Sequence, residues 1–203
     1  MIFFKINRYN YKKNGEFKMK DKIKKDYELI LDTLFKKGLF HIYQTSFSVR
    51  TENDRFIINK KDVVFTEDDI FTEIHYQEDL SWQEASNDAK IHSYIYQKIS
   101  TAKCIAHIFP INLVTYSLYH HQFKPLDYYG LNIIGKKEIY EIEEYDNFLE
   151  QLESIIYPKL QHENIFIIKG YGAYIYDRDL KELAKKASIL ENSANILLKI
   201  KQV

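Results

Sequence analysis

Two apolar runs of strand length, Cys104-Ile-Ala-His107-Ile-Phe109-Pro110 and Ile165-Phe-Ile-Ile168, constrain the fold of this chain more than any other feature. Both are bounded by punctuation, and neither alternates with polar residues, so both read as buried strands. Pro110 stops the first. The second runs into Lys169-Gly-Tyr171-Gly-Ala-Tyr174, where the glycines permit a tight turn and a returning strand over Ala173 to Tyr176.

Helical periodicity surrounds these runs. Ile23, Tyr27, Ile30, Leu31, Leu34 and Phe35 recur at helical spacing, with Asp21 as a cap and Gly38 as a stop. Ile91, Ile95 and Ile99 share one face of a helix that starts at either Ser81-Trp-Gln-Glu84, a capping box, or Ser86-Asn-Asp88. Pro110 opens a short helix to about Leu118. Asp146 caps a helix to Ile156, and Pro158 ends it. Asp177 or Asp179 caps a long last helix whose buried face carries Leu180, Leu183, Ala187, Leu190, Ala194 and Leu197.

Thr45 to Arg50 alternates, Asn53-Asp54 turns, and Phe56-Ile-Ile58 returns, which is a hairpin. Further short strands are expected at Val63-Val-Phe65, Ile133 and Ile139, with a loop from His120 to Gly130. Hairpins mixed with helices imply an α/β layered domain with a mostly antiparallel sheet.

At 203 residues the chain suits one domain with a substantial core. Its 29 positive and 29 negative side chains cancel, so no general attraction to nucleic acid or anionic membrane is expected. No apolar run approaches the roughly 20 residues of a membrane span. Met1-Ile-Phe-Phe-Lys is too short for a signal peptide, and a single cysteine, Cys104, excludes an intrachain disulfide, so a cytoplasmic location is expected. Residues 1–18 are polar, lysine-rich and aperiodic. They read as a flexible extension, or as an upstream start with Met19 the functional one.

Four segments carry a resemblance. They are Thr45-Ser-Phe-Ser48-Val-Arg50; Asp88-Ala-Lys-Ile-His92; His107-Ile-Phe109-Pro110; and Lys169-Gly-Tyr171-Gly-Ala-Tyr174. In order and spacing they are similar to the class II aldolase/adducin family over about residues 25–200, which makes residues 19–203 one domain of that type. The resemblance implies a three-layer α/β/α sandwich and a homotetramer with its site between subunits. It also implies chemistry on small phosphorylated sugars, by aldolases and epimerases, or a non-catalytic role such as that of adducin's head domain.

The family's phosphate grip reads Gly-Asn-x-Ser-x-Arg. Here Ser46, Ser48 and Arg50 stand in it without the Gly-Asn pair, and Lys60 is a further candidate for the substrate's charge. Asp88 stands where the family has its glutamate acid/base, one methylene short. The family's zinc is held by His-x-His at a strand end and a later His-Gly. His107 keeps the first position, Phe109 replaces the second and Tyr171 the third. A phenyl ring has no lone pair, and a neutral phenol is a weak zinc ligand. Tyr171 is therefore read as an acid/base candidate beside Asp88, and His107 as a metal position without its partners.

The expectation is a member without a metal cofactor, a pseudo-enzyme or binding protein. The alternative is an active aldolase or epimerase that uses zinc or another divalent metal. His120-His121 is read as a polar loop, and Gly170-Tyr-Gly172 lacks the third glycine of a dinucleotide site. Cys104 and His107, three apart on a strand, point to opposite faces, which argues against a Cys–His pair.

Overall fold

A computed structural model describes residues 21–41, 45–62, 70–143 and 147–200 of the chain. The expected extension at 1–18, the strand at Val63–Phe65 and the cap Asp146 lie outside the described residues. The elements are α1 (Asp21–Lys36), β1 (Ser46–Arg50), β2 (Arg55–Asn59), β3 (Phe71–His75), α2 (Ala89–Lys98), β4 (Cys104–Ile108), α3 (Ile111–Leu118), β5 (Gln122–Phe123), β6 (Lys137–Tyr140), α4 (Phe148–Ile156), β7 (Ile165–Ile168), β8 (Gly172–Asp177) and α5 (Leu180–Ile200). Among the described residues, no helix is long and apolar enough to cross a membrane.

The strands form one eight-stranded sheet in the order β3-β2-β1-β4-β8-β7-β6-β5. The sheet is mixed rather than simply antiparallel: six neighbour pairings are antiparallel, and β6 runs parallel to β7. The parallel pair follows from connectivity, because the chain leaves β6, crosses through α4 and re-enters in the same direction.

Period-2 alternation divides the central strands between two cores. Phe47 and Val49 of β1, Cys104, Ala106 and Ile108 of β4, and Ala173 and Ile175 of β8 pack with residues of α1, α3 and α5. Ile105, Phe166, Ile168 and Tyr174 pack on the other face with residues of α2 and α4. The result is the expected α/β/α sandwich, and Cys104 packs in the first core while His107 stacks on Tyr174 of the second, on opposite faces as the spacing requires.

Several local expectations are corrected. Ile133 lies in a π-helical turn, Gly130–Ile134, not a strand, and the loop before it contains β5. The turn over Leu80–Glu84 is a 3-10 helix capped by Asp79, whose Oδ1 accepts from Ser81 N at 2.8 Å. This separates it from α2, which starts after Asp88, so the later of the two proposed starts holds. For α5 the cap is Asp179, which accepts from the amides of Lys181 and Glu182 at 2.8 and 3.1 Å. Asp177 instead pairs with Lys186 at 2.5 Å. The edge strand β3 has no counterpart in the sequence reading.

Candidate functional site

The site is a consequence of register. Ser46 of β1 lies opposite His107 of β4, and His107 lies opposite Tyr174 of β8, so three polar side chains form one row across three strands. The alternation that sends Phe47 and Ala106 to one core sends this row to the face under α2.

Helix α2 supplies the matching line. Asp88, His92 and Tyr96 are spaced by four, one helical turn apart, and a turn of four residues rises about 6 Å. Ser46 and Ser48 are spaced by two on a strand, about 6.7 Å. The two spacings nearly match, so the side chains interleave. Ser46 Oγ donates to Asp88 Oδ2 at 2.6 Å and lies 3.0 Å from His92 Nε2. Ser48 Oγ lies 2.7 Å from His92 Nδ1 and 2.8 Å from the Tyr96 hydroxyl.

These contacts fix a direction for every hydrogen. Ser46 gives its only hydrogen to the carboxylate, so it accepts from His92 Nε2–H. His92 Nδ1 then accepts from Ser48, which in turn accepts from Tyr96. Ser46, Ser48, His92, Tyr96, His107 and Tyr174 are each 1% exposed or less, which places the whole chain of bonds away from water.

Asp88 is the hub. Besides Ser46 it accepts from Tyr174 at 2.7 Å and from His107 Nδ1 at 3.2 Å. It sits at the N-cap position of α2 but makes no capping bond, because its carboxylate is turned into the sheet. Burial pushes its pKa up. The His107 hydrogen bond and charge, the His92 charge and the Ser46 bond outweigh that and hold it below the ordinary carboxylate range. For His92, burial and the charge of His107 outweigh the pull of Asp88 and lower the pKa to about 4. Burial raises the phenols of Tyr174, Tyr171 and Tyr96 well above their usual value, which keeps them neutral donors.

His107 has no free lone pair. Nδ1 donates to Asp88, and Nε2 faces the backbone carbonyl of Tyr171 at 3.0 Å, an oxygen that only accepts. Its ring is sandwiched between Tyr174 (centroids 4.4 Å, 10°) and Tyr171 (4.5 Å, 20°). Phe148 covers the Tyr171 ring at 4.4 Å. Phe109, at the position after β4, packs edge-on against His41 at 5.6 Å. The positions at which the resemblance expects zinc ligands thus hold a fully engaged imidazole, a phenyl ring and a neutral phenol, a donor set that does not fit a zinc ion. Among the described residues, no three His, Cys, Asp or Glu side chains are grouped to hold a metal.

The predicted residues are brought together unevenly. Ser46, Ser48, Asp88, His107 and Tyr171 join one cluster. Arg50 sits at its far end, where Nη2 donates to the carbonyls of Tyr96 and Ile99 and the guanidinium lies 5.1 Å from the Tyr96 ring centroid. It therefore satisfies the open C-terminal carbonyls of α2. Lys60 is apart from the cluster, 3.2 Å from Glu84. His92, Tyr96 and Tyr174 are members that the sequence reading did not assign. Their signal was present as the Asp-x3-His-x3-Tyr spacing on α2 against Ser-x-Ser on β1.

The turn that carries Tyr171 is built on two glycines with positive φ, Gly170 (+68°) and Gly172 (+110°). At Gly172 a Cβ would lie 2.1 Å from the carbonyl oxygen of Ile108. Gly172→Ala should cost roughly 1–3 kcal/mol through strain and overpacking at the β4–β8 junction, read as a lower urea midpoint. An unchanged midpoint would mean the turn relaxes freely.

The comparisons with known proteins agree with this architecture. The family model described as the class II aldolase and adducin N-terminal domain matches residues 29–198. The crystal structure of L-fuculose-1-phosphate aldolase from Thermus thermophilus superposes with a TM-score of 0.79 at 22% identity, over 91% of this chain and 97% of that one. YgbL from Escherichia coli gives 0.78 at 14%, over 90% and 91%. The sugar-phosphate aldolase from Thermotoga maritima gives 0.67 at 18%, over 89% and 97%. Among curated proteins none matches the sequence significantly.

Proposed function

This chain belongs to the class II aldolase and adducin N-terminal domain family, and from that premise we propose that it is a member that works without zinc, a pseudo-enzyme or binding protein. The observation that carries the reading is His107, whose two nitrogens are both committed, one to Asp88 and one to the Tyr171 carbonyl. Asp88 adds to it. A general base needs a free lone pair facing the substrate, and this carboxylate is 6% exposed and accepts from three side chains.

Purified protein is expected to hold no stoichiometric zinc by elemental analysis, and about one ion per chain would overturn the reading. The same measurement addresses the alternative, a divalent-metal-dependent aldolase or epimerase on a small phosphorylated sugar. That alternative is favoured by the survival of Ser48, Arg50 and His107 and of an acid at position 88. By family analogy the assembly is a homotetramer. Exposed Ile111, Leu118, Tyr119, Leu126, Tyr128 and Tyr129, concentrated in one stretch of chain, are consistent with a surface that a second copy covers.

A further inference from the structure

We draw no further inference here: the strongest candidate, the cavity beside the N-terminus of α2 lined by Lys61, Trp82, Ser86, Asn87 and Lys90, rests on that helix terminus and exposed lysines alone, and among the described residues no buried side chain without a hydrogen-bond partner lines it.

Discussion

Asp88→Asn is expected to destabilise the fold by about 3–5 kcal/mol, the cost of removing one partner of a buried pair and leaving its donors without that acceptor. The substitution keeps the size of the side chain, so it opens no cavity. What changes is chemistry. Three donors converge on this carboxylate, from Ser46, Tyr174 and His107, and none has access to water. An asparagine offers one acceptor oxygen, and its NH2 group would face the donors that Oδ2 now accepts. His107 loses most, since its other nitrogen already faces a carbonyl and its ring is enclosed by two phenols.

Set against a typical total of about 5–15 kcal/mol, such a loss brings the variant close to unfolding. Urea denaturation at pH 7 reads it directly. Ser46→Ala is the useful contrast, because it removes one neutral donor to Asp88 and the acceptor of His92 Nε2–H and should cost about 1–3 kcal/mol. An Asp88→Asn midpoint equal to the native one would show that the carboxylate carries no structural load, and would reopen it as a free acid/base.

The fold was legible because its signals are local. The run from Cys104 and the run at Ile165–Ile168 are β4 and β7, and Gly170 and Gly172 stand at the turn between β7 and β8. The layers follow from alternation on β1, β4 and β8. The errors came where tertiary pairing decides. Ile133 sits in a short apolar stretch that suits a strand, yet it forms a π-helical turn whose first residue, Gly130, packs close to Ser193 of α5. Nothing in Phe71–His75 marked a strand, because it is an edge strand held by pairing to β2 alone.

The site was legible only in part, for a different reason. Ser46 and Ser48 were named as substrate-binding groups, Asp88 as an acid/base and His107 as a metal position without its partners, each on its own. What a linear reading does not supply is the register that places Ser46 beside His107 and Tyr174, or the match of helix and strand spacings that closes the cluster. Without that register, the polar side chains looked available to a ligand. With it, each is seen to be occupied by another.

Stability should fall as pH drops from about 6.5 to about 4, and His92 should be the group responsible for much of it. Its folded pKa is lowered to about 4, because burial and the charge of His107 outweigh Asp88. The unfolded chain returns the ring to its ordinary value near 6.5. Between those values the unfolded state binds a proton that the folded state refuses, so acid favours unfolding. The contribution is complete above pH 6.5 and is lost progressively on the way down, amounting to about 3 kcal/mol over the window. Asp88 has the same sign but acts lower. Its folded pKa lies below its ordinary value, so its contribution is intact above about pH 4 and disappears only in stronger acid. Two stages of acid destabilisation are therefore expected, with the upper one belonging to His92. The geometry explains why the ring stays neutral: Nδ1 accepts from Ser48 while Nε2 donates to Ser46, and a second proton would turn Nδ1 against the hydroxyl that feeds it. His92→Gln cannot titrate. Urea midpoints measured from pH 7 to pH 4 should decline less steeply for this variant than for the native chain, although it starts lower. Parallel declines would assign the upper stage to another group and would remove His92 as the acid-sensitive link between α2 and β1.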